Sequence, residues 1–464
     1  MMDANAPRKK SKDMKDRLGN LPEAVLGHIL SLLPTKDAVR TSLLSKRWKY
    51  MWTLVTNLDF SDSLLYSGTK RKSRKMSFIK FVETVLLLLG KSTIQKFFLS
   101  CSKEDYGASR IQTWISSVIR RNVQSIKIRY DGMENFVFPD LIYNQDSVAE
   151  LKLRARSCTF RLPHSVHFSS LEILDLRWVT FQNERDSELE ELHITLPALN
   201  LLTLDNCKWL NVKTVCVDAL ALRVFIIEED RDKNGTCQRV LKLRAPRLAT
   251  FRCRGSSSAD VVFIGPSSIE DAVLGLDTEF YKYKVDIRSK MSEVACPLLR
   301  QLSRVKFLTL GSGTIEALRV VRNLPGQLPS FEKLIRLTLH GGRVDDLLTA
   351  LLRCSPVLES LIYEENITPK KGGAEQGTIP EYTFPCLKVV KFNTFYGDDH
   401  ELEFAEFLLR NAKFLEEITI AALCGREKFE GIKKRLLPLI KDSRCSLIIA
   451  PWDHCRVRRI MNNF

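Results

Sequence analysis

The chain has 464 residues, 44% of them hydrophobic and 27% charged, the balance of a folded protein rather than a disordered one. Its longest purely aliphatic run, Val85 to Leu89, is far short of the roughly 20 residues needed to span a bilayer, so no membrane partner is expected. The net charge of +16 is uneven: residues 1–80 hold 17 Lys/Arg against 7 Asp/Glu, leaving only +6 on the rest, which therefore lacks the basic footprint of a specific nucleic-acid binder.

Residues 1–15 read as a basic flexible tail. The tail carries the cluster Pro7–Lys12, and a second cluster stands at Lys70–Lys75. Both are candidate nuclear import signals, though such runs equally serve as solvated segments. No apolar leader precedes a small-residue cleavage site, so the expected location is the nucleus and/or the cytoplasm. Twelve cysteines stand singly, none with the spacing that lets two thiolates share a zinc ion, and are expected reduced and mostly buried.

The stretch from Asn20 to Trp52, "NLPEAVLGHILSLLPTKDAVRTSLLSKRWKYMW", reads as three short helices. Asn20 can cap the first, with Pro22 early in it, where a missing N–H costs nothing. Val25, Leu26, Ile29, Leu30 and Leu33 recur at helical spacing before Pro34 ends the helix. Thr35 can start a second helix with Val39, Leu43 and Leu44 apolar, and Ser45 a third with Trp48 and Trp52 one turn apart. Three helices of this size bury little surface alone, so an outside partner is expected to cover the surplus apolar residues. A DNA-reading helix-turn-helix is the rival, disfavoured by two tryptophans where polar base-reading side chains belong. A helical cap on the remainder of the chain is another.

From about residue 94 one six-residue pattern recurs, apolar-x-x-apolar-x-apolar. Clear copies are "VAELKL" from Val148, "LEILDL" from Leu171, "LNLLTL" from Leu199, "VKFLTL" from Val305, "LIRLTL" from Leu334 and "LEEITI" from Leu415. Its last two apolar positions alternate as in a strand that buries one face. One such unit cannot enclose its own apolar face, so neighbours must stack. Some units add a helical stripe: Ile111, Ile115, Val118 and Ile119; Val344, Leu347, Leu348, Leu351 and Leu352; Leu402, Ala405, Leu408, Leu409 and Ala412. Between Leu248 and Val305 the register is lost. Successive copies stand mostly 23 to 29 residues apart, and strand plus helix at this period is similar to leucine-rich repeats; an ordinary α/β domain with leucine-rich strands is the alternative. Residues 366–382 are polar and Gly-rich and read as a loop.

Nothing in the chain has the spacing of a catalytic or metal motif. His164 and His167 have no neighbours to complete a metal shell, and "GSG" at 311–313 lacks the later Gly-Lys-Ser/Thr of a phosphate loop. No cofactor, metal or catalytic residue is expected.

"LPEAVLGHILSLLPTKDAVRTSLLSKRWKYMW", followed by "NLDF", resembles an F-box of the kind found in plant F-box proteins with leucine-rich repeats, over Asp16 to Phe60. "FPCLKVVKFNTFYGDDHELEFAEFLLRNAKFLEEITI" resembles the C-terminal FBD module of the same group. The resemblance implies an α/β chain: a three-helix F-box at 16–60, a basic linker at 61–77, an irregular leucine-rich-repeat solenoid with a parallel inner sheet at 78–375, and FBD-like repeats at 376–455. It further implies a non-catalytic substrate-recognition subunit of an SCF-type cullin–RING ubiquitin ligase. The F-box would bind a Skp-type adaptor and the repeats an unknown target protein. By position, Leu21, Pro22, Ile29, Leu33, Pro34, Val39, Leu43 and Trp48 form the adaptor-docking surface. Lys36, Arg40, Lys46, Arg47 and Lys49 would steer an acidic adaptor. The alternative is a leucine-rich-repeat interaction scaffold with no ligase role.

Overall fold

Wherever the six-residue pattern occurs, the backbone of a computed structural model runs as a short strand parallel to its neighbours. The structure describes residues 21–65, 71–90, 92–163, 165–183, 189–229, 239–255, 259–266, 268–276, 285–321, 326–341, 346–365, 384–440 and 444–451. The tail 1–15, Asn20, Lys70, His164, Val344, the loop 366–382 and the end of the chain beyond Pro451 lie outside them. The chain divides into two units, Met1–Thr159 and Phe160–Phe464.

In the first unit, α1 (Glu23–Ser31) starts behind Pro22, whose ring cannot donate, and α2 (Thr35–Arg40) starts behind Pro34. The expected second helix ends at Arg40 and passes into a 3-10 turn, Thr41–Leu43, and the expected third helix is instead a 3-10 segment, Trp48–Leu54. The chain then enters β1 (Asn57–Ser61), and here Val55, Leu58 and Phe60, all buried, repeat the six-residue pattern. The first repeat strand therefore begins inside the stretch that reads as F-box. Next along the chain are α3 (Arg71–Leu88), β2 (Lys96–Cys101), α4 (Ala108–Ile119), β3 (Ser125–Tyr130), β4 (Phe136–Val137), β5 (Glu150–Ala155) and β6 (Cys158–Leu162).

Strands β1, β2, β3 and β5 pair in parallel in that order. Residues 71–77, expected in a basic linker, form the first turns of α3, because Phe78, Ile79, Val82, Val85, Leu86 and Leu89 make a buried stripe that needs a helix to present it. Only Asp62–Leu65, a 3-10 turn, and the residues after it separate β1 from α3. Buried Asp62 accepts the Lys103 N–H at 2.8 Å and the Tyr106 hydroxyl at 3.3 Å, tying the first repeat to the second.

The second unit continues with β7 (Ser165–His167), β8 (Ile173–Arg177), β9 (Thr180–Asn183), β10 (Leu189–Thr195), β11 (Leu201–Asp205), β12 (Lys208–Leu210), β13 (Val212–Asp218), β14 (Val224–Glu229), β15 (Arg239–Arg244), β16 (Thr250–Gly255), β17 (Ala259–Phe263) and β18 (Asp271–Leu276). After these come α5 (Val285–Gln301), β19 (Phe307–Leu310), α6 (Ser312–Arg319), β20 (Arg336–Leu339), α7 (Asp346–Arg353), β21 (Ser360–Tyr363), β22 (Val389–Phe395), α8 (Asp399–Asn411), β23 (Glu417–Ala422), α9 (Arg426–Ile440) and β24 (Ser446–Pro451). The main sheet of this unit runs β8-β11-β14-β16-β18-β19-β20-β21-β22-β23-β24.

The returns between main-sheet strands are of two kinds. Up to β17 they are strands, and β7, β10, β13, β15 and β17 form a second parallel sheet. From α5 onward they are helices. Local sequence decides which: "VKTVCVD" alternates and is β-branched, whereas "DLLTALLR" keeps Leu347, Leu348, Leu351 and Leu352 on one buried face. The lost register is resolved by β18, whose pattern residues Ile269, Ala272 and Leu274 are all buried. Ala272 is too small to mark a repeat by hydrophobicity.

At the start of β5, Glu150 accepts from Ser125 Oγ at 2.5 Å, Lys152 Nζ at 2.8 Å and Lys127 Nζ at 3.1 Å. Burial alone would raise its carboxyl pKa, but these donors outweigh it and hold the group down to about 2. A depressed acid stabilises the fold above its ordinary range and loses that contribution as pH falls toward the folded value. Glu150→Gln is therefore expected to destabilise the chain at neutral pH by about 1–3 kcal/mol. In urea titrations the gap between parent and variant should close as the pH is lowered from about 5 toward about 2.

Candidate partner-binding surfaces

The apolar residues of the F-box segment divide between two faces. Leu26, Leu30, Ala38, Trp48 and Trp52 point inward and form its core. Val25 and Ile29 on α1, Leu32 and Leu33 on the turn after it, and Leu43 and Leu44 on the turn after α2 stay exposed. The single stripe read from the sequence, Val25 to Leu33, is thus two stripes about one-third of a turn apart, one for the fold and one facing outward.

Among the eight residues expected to bind the adaptor, Pro22, Ile29, Leu33 and Leu43 are exposed, and Leu21, Pro34 and Val39 are half-buried. Leu43, with 85% of its surface exposed, is the most open of them. Trp48 differs: only 7% exposed, it belongs to the core beside Trp52 because the 3-10 turn carrying it packs back on α1. Leu32 at 72% and Leu44 at 68% belong to the open face and were not among the expected residues. Their signal was there: each adds a leucine to a face that the core residues do not need.

The segment is held to the first repeat by hydrogen bonds. Thr35, almost fully buried, does not cap α2 with its side chain; its Oγ1 accepts the Asp59 N–H of β1 at 2.7 Å. Ser31 Oγ donates to the Gly27 carbonyl at 2.8 Å and accepts the Thr56 N–H at 3.3 Å. Arg47 Nη2 donates to the Leu21 carbonyl at 2.8 Å and so fixes the approach to α1. Of the expected steering cations, Arg40 pairs with Asp37 at 3.6 Å, and Lys46 and Lys49 are exposed.

The second unit offers a different surface. Along the open face of its main sheet, one register row reads Arg177, Asp205, Glu228, Arg254 and Gly275. Arg177 pairs with Asp175 at 2.9 Å and with Asp205 at 3.6 Å, and Arg254 pairs with Glu228 at 3.6 Å. The row opens into a cleft of about 610 Å³ bordered by Glu228, Arg254, His340 and Glu365 and floored by Gly275 and Gly311. A Cβ on Gly311 would stand 2.8 Å from the Gly275 Cα, so backbone itself lines the floor. The cleft therefore has charged walls over a floor of bare backbone.

Residues 90–448 match the family profile of the leucine-rich-repeat domain described as At1g61320/AtMIF1, and residues 18–59 match the F-box domain. The chain belongs to the F-box/leucine-rich-repeat family. F-box/LRR-repeat protein At3g59200 of Arabidopsis thaliana is 29% identical over 437 residues, 88% of this chain and 82% of the relative. F-box/LRR-repeat protein 13 of Arabidopsis thaliana is 27% identical over 454 residues, covering 95% and 98%. F-box/FBD/LRR-repeat protein At1g78750 of the same plant is 26% identical over 457 residues, again 95% and 98%. This architecture is typical of non-catalytic adaptor proteins. Among the described residues no helix is long and apolar enough to cross a membrane.

The two faces of the F-box make separable demands. Trp48→Ala is expected to lower the stability of the full chain by about 3–5 kcal/mol in denaturant unfolding. Leu43→Asp, on the open face, should change it by less than about 0.5 kcal/mol.

Proposed function

We propose that the chain is the substrate-recognition subunit of an SCF-type cullin–RING ubiquitin ligase. The observation that carries this reading is the outward leucine face of the F-box: Ile29, Leu32, Leu33, Leu43 and Leu44 are apolar, adjacent along α1, the turn after it and the turn after α2, and unused by the core. A Skp-type adaptor covers that face, with exposed Lys46 and Lys49 at its margin to speed association with an acidic partner. A standard interface buries about 1,600 Å² in total, within reach of α1, α2 and the turns after them.

The open sheet face then holds a target protein, and residues 376–455 act as an FBD-like end to the repeats. The chain makes and breaks no bond itself. It contributes proximity, holding a target lysine where a ubiquitin-charged enzyme on the same assembly attacks as if intramolecularly. A nuclear and cytoplasmic location fits the two basic clusters.

The test is co-expression of the full chain with a Skp-type adaptor. The parent should co-purify with it, and Leu33→Asp combined with Leu43→Asp should weaken the complex at least tenfold, about 1.4 kcal/mol, with an unchanged melting temperature. Failure of the parent to retain any Skp-type adaptor would leave a free-standing leucine-rich scaffold as the better reading.

A further inference from the structure

The second, outer sheet of the later unit carries an N, S and O donor set on one face. Glu191 and His193 lie two residues apart on β10 and so project to the same side. His193 sits in register with Cys216 on β13, and Cys216 with Lys242 on β15. The imidazole, thiol and carboxylate ligand atoms of Glu191, His193 and Cys216 all fall within 4.8 Å of one another, a grouping that occurs once among the described residues.

We propose that Glu191, His193 and Cys216 form a zinc site on the outer sheet. This inference does not depend on the ligase reading. The donor set selects the ion: a thiolate disfavours Ca²⁺ and Mg²⁺, and imidazole with carboxylate completes a borderline-soft set suited to Zn²⁺. With metal–ligand bonds of about 2.0–2.3 Å, tetrahedral edges run about 3.3–3.7 Å. His193 Nε2 and Glu191 Oε2 already stand 3.7 Å apart, so side-chain rotation alone closes the set on backbone fixed by strand pairing.

Lys242 Nζ lies 2.7 Å from Glu191 Oε1. That oxygen is the one the metal leaves free, so the ammonium becomes an outer partner that orients the carboxylate. On binding, the Cys216 S–H bond breaks, its proton passes to solvent, and a Zn–S bond forms. Zn²⁺ with one thiolate, one carboxylate and a neutral imidazole is charge-neutral. Three protein ligands leave the fourth position open to water or to a donor from a bound protein.

The full chain, stripped with a chelator, is titrated with Co²⁺ as a spectroscopic probe. The expected result is a thiolate-to-cobalt charge-transfer band that saturates at one equivalent and is displaced by Zn²⁺. Cys216→Ser should abolish the band, His193→Ala should weaken binding by about tenfold or more, and Cys386→Ser should leave it intact. Absence of the band, or its survival in Cys216→Ser, overturns the proposal. The parent chain gives a second readout free of any folding defect: Zn²⁺ should slow iodoacetamide alkylation of Cys216, tracked by peptide mass spectrometry, but not that of Cys386. Equal alkylation of Cys216 with and without Zn²⁺ overturns it as well.

Discussion

A single backbone acceptor, repeated, sets the register on which everything else rests. At the entrance to twelve repeat strands one carbonyl takes two successive N–H groups from the next repeat, at 2.8–3.3 Å. In the first unit the acceptors are Thr56, Gln95 and Gln124; in the second they are Glu172, Asn200, Arg223, Ala249, Glu270, Lys306, Ile335, Glu359 and Lys388. Each comes directly after the first apolar residue of the six-residue pattern, and that residue is buried in every case, from Val55 and Ile94 to Leu387. The buried side chain locks the turn into the core, which leaves the next carbonyl aimed at the neighbouring repeat. One-residue slippage would turn every apolar side chain outward, so the two devices enforce each other.

The same register explains how the F-box is held. Val55, within the F-box, is also the first pattern residue of β1, and Thr56 is the first acceptor. Ser31 and Thr35 reach from α1 and α2 to backbone N–H groups at Thr56 and Asp59, so the helices are hydrogen-bonded to the strand that founds the first unit. A segment this short lacks the buried area to fold alone. Joined to a repeat core, it can keep leucines such as Leu43 and Leu44 outside without collapsing onto them.

Legibility in the sequence depends on whether a feature is written in side chains or in backbone. The repeat strands and the helical stripes of α4, α7 and α8 were visible because burial demands apolar residues at fixed spacing. The acceptor position was not, because a carbonyl is common to Thr, Gln, Arg, Ala and Ile alike. The β18 repeat was hidden because Ala272 fills its place with one methyl group. Strand returns were missed because β10, with Glu190, Glu191 and His193 exposed, shows little hydrophobicity of its own. At the F-box, periodicity marked the apolar residues correctly but could not divide them. Trp48 and Leu43 look equally suited to a partner until the 3-10 turn takes Trp48 into the core and leaves Leu43 in solvent.

Because the backbone sets register, the open-face side chains are released from structural duty. Partly exposed members of the row such as Glu228 and Arg254 can change identity without disturbing the strands beneath them, since surface ion pairs like theirs add little to stability. Sequence identity of 26–29% to relatives that align over most of their length is what such a division predicts. The charges of the open face can therefore change at little cost to folding, and the glycine floor at Gly275 and Gly311 marks an exception. There the open face is itself backbone, and a side chain at 311 would strike the neighbouring strand, so the shape of the cleft is fixed by the fold even where its charges are not.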